Sequence, residues 1–166
     1  MMEELNELAQ QTVRALKEKG LHAASAESLT GGMVSALITS VSGASEVLEC
    51  GVCAYSNRIK HEVLRVKQET LDAFTEYSSQ TAEEMAQGVR LLAGADIGVA
   101  TTGIAGPLGG TEEKPVGSVW IGVAWAHGSR AEGFRFQGDR QAVRRQSATQ
   151  ALKMVLALLS SEELLK

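Results

Sequence analysis

Residues 23–32 read Ala23-Ala24-Ser25-Ala26-Glu27-Ser28-Leu29-Thr30-Gly31-Gly32, a short apolar run that breaks at Glu27-Ser28 and passes through two glycines into helically spaced apolar residues. This pattern predicts a strand, a tight turn carrying a hydroxyl, and a helix start. The junction decides the fold, because a strand feeding a helix through a glycine turn opens a βαβ unit, and adjacent βαβ units imply parallel strands. It also marks a place for chemistry. Amide N–H groups at a helix start lack partners and favour an anion or a developing oxyanion, while glycine lets another molecule approach the backbone closely.

Working outward, Leu5, Leu8, Ala9, Val13 and Leu16 keep helical spacing up to Gly20, a natural stop. Met33, Leu37, Ile38 and Val41 mark a second helix closed by Ser42-Gly43, and residues 47–55 read as a buried strand. Residues 56–75 suggest short helices carrying Ile59, Val63, Leu64 and Leu71. Ser79 is placed to cap a helix whose buried stripe is Ala82, Met85, Ala86, Val89 and Ala93, with Gly94 as its end. Ile97-Gly98-Val99-Ala100 then form a strand that runs into a loop, 103–117, in which five of fifteen residues are glycine and which holds both prolines, Pro107 and Pro115. A long loop stiffened by proline is expected to be an ordered binding loop.

Val119, Ile121, Val123 and Trp125 alternate with Trp120, Gly122 and Ala124, the period of a strand with a small-residue face. His127-Gly128 makes a turn, a partner strand follows over residues 130–136, and Asp139 is placed to cap a last helix bearing Val143, Ala148, Ala151, Leu152, Val155, Leu156 and Leu159. The order is αβαβ, then helices, then βββα. It predicts a single α/β domain over residues 1–166, three-layered, with a mixed, mostly parallel sheet flanked by helices.

The 166 residues suffice for a substantial core without disulfides or metal, and 44% hydrophobic with 22% charged residues is ordinary for a globular protein. A net charge of −4 argues against a nucleic-acid partner, whose binding rests on phosphate neutralisation, but allows a small anion held locally. The start, Met1-Met2-Glu3-Glu4-Leu5, lacks the basic and apolar regions of a signal peptide, and no apolar run reaches the roughly 18 residues of a membrane span. A cytoplasmic protein with no membrane partner is expected. Cys50 and Cys53 form an isolated C-x-x-C in the buried-strand segment, and strand alternation puts positions three apart on opposite faces. Two buried thiols are expected rather than a redox pair or half a zinc site.

Ser28 is a weak nucleophile without a base. His22 falls at a strand start, His61 among charged neighbours and His127 in a hairpin turn, so none is a good candidate. No G-x-S-x-G surrounds Ser28, which removes the α/β-hydrolase triad, and no S-x-x-K is present there. A lysine distant in sequence remains, and the best candidate is Lys60, in Tyr55-Ser56-Asn57-Arg58-Ile59-Lys60, directly after the second strand. Adjacent parallel strands end side by side at the carboxyl edge of a sheet, where ligands bind, and the third strand delivers Thr101-Thr102-Gly103 to the same edge. Spacing alone leaves Lys60 open between a base and a solvated surface lysine. It likewise leaves Arg140, Arg144 and Arg145 open between a phosphate clamp and a charged exposed face.

Four ordered motifs then carry a resemblance over nearly the whole chain. Ala26-Glu27-Ser28-Leu29-Thr30-Gly31-Gly32, Tyr55-Ser56-Asn57 with Lys60, Thr102-Gly103-Ile104-Ala105-Gly106-Pro107 with Gly109-Gly110 and Glu113-Lys114-Pro115-Val116-Gly117, and Gly138-Asp139-Arg140 with Arg144 closely resemble the CinA C-terminal family. The resemblance implies a stand-alone hydrolase that converts nicotinamide mononucleotide to nicotinic acid mononucleotide and ammonia. It implies Ser28 as nucleophile and Lys60 as base, with Tyr55 and Thr102 in support. Substrate binding is expected from Thr30, Gly31, Gly32, Asn57, Gly103, Gly106, Arg140 and Arg144, with Arg140 first and Arg144 second for the phosphate. Either the Gly31-Gly32 helix start or the Thr102-Gly103 turn would hold the oxyanion.

No metal or cofactor is called for, because no cluster of ligating side chains has the right spacing. A homo-oligomer is expected, with the leucine-rich stripe of the last helix in the core. A non-catalytic nucleotide-binding module linked to competence is the competing reading, and a DNA-acting protein conflicts with the acidic balance. Two departures from the family pattern stand out: Leu29 replaces a usual cysteine, and Glu76-Tyr77-Ser78-Ser79 replaces a usual Gly-Ala-Val-Ser. Neither removes a proposed catalytic group, and the altered loop is expected to bear on substrate preference.

Overall fold

The computed structural model describes residues 2–165. Its elements are α1 (Met2–Lys19), β1 (Ala23–Glu27), α2 (Met33–Thr39), β2 (Leu48–Cys53), α3 (Asn57–Glu62), α4 (Gln68–Phe74), α5 (Ser79–Ala93), β3 (Ile97–Gly103), β4 (Ser118–Trp125), β5 (Gly128–Arg135) and α6 (Arg140–Leu159). The sheet order is β2-β1-β3-β4-β5. Strand β1 runs parallel to β2 and β3, whereas β3–β4 and β4–β5 are antiparallel. Glu27, the last residue of β1, is paired with Cys53 on one side and Thr101 on the other, so three strands end together at one edge.

Every residue of β1 and β3 is buried, as expected of central strands covered on both faces. One face packs Ile97, Val99, Ile121 and Val123 under the apolar stripe of α6 and the helices α1 and α2. The other packs Ala24, Ala26, Ala100 and Ala124 under Met85, Ala86 and Val89 of α5, with Leu64 and Leu71 alongside. The alanines and glycines of that second face have a reason: α5 lies very close to the sheet. A Cβ on Gly98 would collide with the carbonyl oxygen of Ala86, and one on Gly122 with that of Ala82. Gly98→Ala is therefore expected to lower stability by about 1–3 kcal/mol, read from urea unfolding; an unchanged midpoint would mean that α5 is free to lift.

The leucine-rich stripe of α6 is core, with Leu152, Val155, Leu158 and Leu159 buried. Asp139 does cap this helix, its Oδ1 accepting from the Ala142 amide at 2.8 Å. Two local expectations are corrected. Ser78 rather than Ser79 caps α5, its Oγ accepting from the Thr81 amide at 3.2 Å. The two cysteines are not both buried: β2 is an edge strand covered only in part, so Cys50 is half-buried and Cys53 exposed, and both are free. Among the described residues no helix is long and apolar enough to cross a membrane.

Candidate active site

The backbone immediately after Glu27 is fixed before any side chain acts. The Ser28 amide donates to the Thr101 carbonyl at 3.0 Å, and the Gly31 amide donates back to the Ser28 carbonyl at 3.1 Å. Gly31 and Gly32 adopt left-handed φ values of 58° and 99°, which turns the chain sharply into α2 and is natural only for glycine. Glu27 fills the space beneath that turn. It is 1% exposed, yet its carboxylate accepts from the amides of Gly32 (3.0 Å), Val34 (3.0 Å) and Ser35 (2.9 Å) and from the hydroxyls of Thr30 (2.6 Å), Ser35 (3.0 Å) and Ser25 (3.3 Å). The anion expected at this helix start is thus supplied by the chain itself, and the Gly32 amide is not free for an oxyanion.

On the far side of β2, Ser56 caps α3 by accepting from the Ile59 amide at 3.2 Å, which aims Lys60 back toward the strand ends. Lys60 is 1% exposed and its Nζ lies 3.3 Å from Ser28 Oγ, to which it donates. Among the described residues no carboxylate oxygen lies within 4.0 Å of this amine. Burial pushes the Lys60 pKa below the ordinary lysine range, opposed in part by the charge of Glu76. A desolvated amine without an ion pair, in contact with a serine hydroxyl, is equipped to take that hydroxyl's proton.

Ser28 and Lys60 open onto a cleft together with Tyr55, Asn57, Gly103, Gly106 and Arg140. Arg140 donates to the Gly106 carbonyl at 2.9 Å and to the Tyr55 hydroxyl at 3.0 Å, so it bridges the β2 end and the glycine-rich loop. The remaining expected site residues are placed differently. Thr30 points inward, between Glu27 and the Thr101 hydroxyl at 2.7 Å. Arg144, expected as a second phosphate contact, donates through Nε to the Leu29 carbonyl (3.0 Å) and through a terminal nitrogen to the Thr30 carbonyl (2.9 Å), which ties the turn to α6. Thr102 donates to the Glu76 carbonyl at 2.6 Å. Thr30, Gly31, Gly32, Thr102 and Arg144 do not line the cleft; they hold the walls. None of the three histidines lines it either.

The family model of the CinA C-terminal domain matches residues 5–159. The chain belongs to the CinA C-terminal domain family. Within it, the chain is 45% identical over 153 residues to a protein of Enterobacter agglomerans named nicotinamide-nucleotide amidohydrolase PncC, covering 92% of this chain and 93% of that one. It is 48% identical over 150 residues to a CinA-like protein of Anaeromyxobacter dehalogenans, covering 90% of this chain. The chain spans 36–39% of the length of this and other curated relatives that carry the CinA domain within a longer protein. The crystal structure of the competence/damage inducible protein from Agrobacterium tumefaciens is similar at 37% identity with a TM-score of 0.91, covering 93% of this chain and 95% of that one.

Among the cleft residues that were not expected as site residues, two lie far from the matching motifs. Glu76 and Tyr77 line the cleft, although the sequence marked them only as departures from the family pattern. They sit between α4 and α5, and only the Thr102 hydrogen bond to the Glu76 carbonyl, across 26 positions, shows which strand end they cover.

Proposed function

We propose that this chain is a nicotinamide-nucleotide amidase that hydrolyses the carboxamide of nicotinamide mononucleotide with Ser28 as nucleophile and Lys60 as base. The observation that carries the reading is the Lys60–Ser28 pair, buried, at hydrogen-bond distance and without a competing ion pair. The name of the Enterobacter agglomerans relative supplies the substrate class. Neutral Lys60 takes the Ser28 proton as Oγ attacks the carboxamide carbon. The resulting lysinium gives that proton to the departing amine, ammonia leaves, and a nicotinoyl ester remains on Ser28. Water, deprotonated by Lys60, then cleaves the ester to the carboxylate product and restores the hydroxyl.

Because Glu27 takes the amides of Gly32, Val34 and Ser35, the oxyanion falls to amides with no acceptor among the described residues, of which the Leu29 amide, next to the nucleophile, is the nearest in sequence. Arg140, at the cleft, is our candidate for the phosphate, since only part of its donor fork is engaged with Gly106 and Tyr55. A cytoplasmic reaction in pyridine-nucleotide salvage is part of this reading.

The test is ammonia release from nicotinamide mononucleotide as a function of pH. Only the neutral amine acts as base, so kcat/KM is expected to rise with pH through the Lys60 ionisation. The midpoint should fall below the ordinary lysine value of about 10.4, because burial lowers the folded-state pKa. Ser28→Ala should release no ammonia at any pH. No turnover by the wild-type chain, or full turnover by Ser28→Ala, would refute the reading.

A further inference from the structure

Glu76 presents an acidic group to a cleft built for an anionic nucleotide, and hydrolysis by the Ser28–Lys60 pair gives it no task. Its setting is nevertheless tightly made. Thr75 holds a left-handed φ of 66°, its carbonyl accepts from the hydroxyls of Ser78 (3.0 Å) and Thr81 (2.8 Å), and its own hydroxyl accepts from Lys114 at 2.7 Å. The Glu76 carbonyl is taken by Thr102. These bonds fix backbone or Thr75, and they leave the Glu76 carboxylate beside the Tyr77 hydroxyl. Among the described residues no lysine, arginine or histidine nitrogen lies within 4.0 Å of that carboxylate. A carboxylate held in a cleft without a cation fits a ligand that brings one.

Resting on the nucleotide-amidase reading, we propose that Glu76 and Tyr77 are specificity-determining residues that recognise the fixed positive charge of the substrate's pyridinium ring. Nicotinamide bonded through its ring nitrogen to ribose carries that charge permanently; free nicotinamide does not. With the carboxamide carbon at Ser28 Oγ, the ring must extend into the cleft that Glu76 and Tyr77 share. A carboxylate attracts the cation directly, and a tyrosine ring attracts it through its π face. Burial, the charges of Glu76 and Tyr55, and a hydrogen bond to the Glu76 carboxylate raise the Tyr77 pKa, which keeps its phenol protonated.

Two consequences support the assignment. The charge of Glu76 works against the depressed pKa of Lys60. A cation seated at Glu76 cancels that field, so the arriving ring frees the base it needs. The product keeps the ring charge but gains a carboxylate, which Glu76 repels and so helps to release.

The experiment compares two probes in the Ser28→Ala background by titration calorimetry: nicotinamide mononucleotide, and the 5′-phosphate of ribosylbenzamide, the same shape with carbon in place of the ring nitrogen. The cationic probe is expected to bind about fivefold to tenfold more tightly. Adding Glu76→Gln, which leaves the backbone bonds intact, is expected to erase that preference while the neutral probe's affinity stays the same. Equal affinities in the Ser28→Ala protein, an equal loss for both probes on adding Glu76→Gln, or binding of neither probe would each overturn the inference. Selective binding together with no ammonia release by the wild-type chain would instead overturn the amidase reading and leave the cation site standing.

Discussion

Lys60→Met is expected to abolish ammonia release and to raise the stability of the fold. Lys60 is 1% exposed with Ser28 Oγ as its hydrogen-bonding partner at 3.3 Å. Removing a general base from a serine pair typically lowers turnover by about 1,000-fold or more. The stability gain follows from the same burial. Folding depresses the Lys60 pKa, so between the folded value and the unfolded one the unfolded chain binds more protons, and wild-type stability rises with pH across that window. Below the folded value both states are protonated and the full penalty of burying the ammonium remains. Methionine, similar in length and apolar, removes that penalty, with a gain of about 1–3 kcal/mol.

The gain should therefore be full below the folded Lys60 value and shrink as pH rises through it, where the wild-type amine sheds its proton. Lys60→Arg separates charge from chemistry: a guanidinium that stays protonated should be inactive and also bring no stability. Thermal unfolding across pH, with ammonia release in parallel, checks both. A Lys60→Met protein that is less stable than wild type and still active would make Lys60 a structural residue.

The parallel β2-β1-β3 core was legible because each apolar run ends at a polar or glycine residue, and strands separated by helices pair in parallel. Topology then brings the residues after β1 and β2 together, which is why Ser28 and Lys60 could be paired across 32 positions without a local motif. What stayed hidden depends on where side chains turn. Arg144 reads as a free cation near a helix start, but its guanidinium meets the carbonyls of Leu29 and Thr30 more than a hundred positions earlier. Cys53 reads as buried because its strand is apolar, yet an edge strand is covered only in part. Glu76 and Tyr77 belong to no strand end, and long-range bonds from Thr102 to the Glu76 carbonyl and from Lys114 to the Thr75 hydroxyl hold their segment at the cleft.

Glu27 is the residue whose role the sequence concealed most completely, and Glu27→Gln is expected to be as damaging as any single-atom exchange in this chain. Oε2 accepts from Thr30, Gly32 and Val34, while Oε1 accepts from Ser25, Ser35 Oγ and the Ser35 amide. An amide side chain must turn its NH₂ toward one of these sets. Either choice sets donors against donors in a site that is 1% exposed, with no room to rotate away. Leaving buried donors unsatisfied costs about 1–3 kcal/mol each, so a loss of about 3 kcal/mol or more is expected from urea unfolding. The residue that follows is Ser28, and the strained turn should also displace its hydroxyl from Lys60, so turnover should fall well below the fraction that remains folded. The opposite role for this helix start makes the opposite prediction. If its amides served the substrate phosphate, the Glu27 carboxylate would be their competitor, and Glu27→Gln would tighten binding of nicotinamide mononucleotide. Tighter binding by a stable Glu27→Gln protein would show that the carboxylate guards an anion site, whereas a destabilised protein with weaker binding shows that it completes the turn on which Ser28 stands.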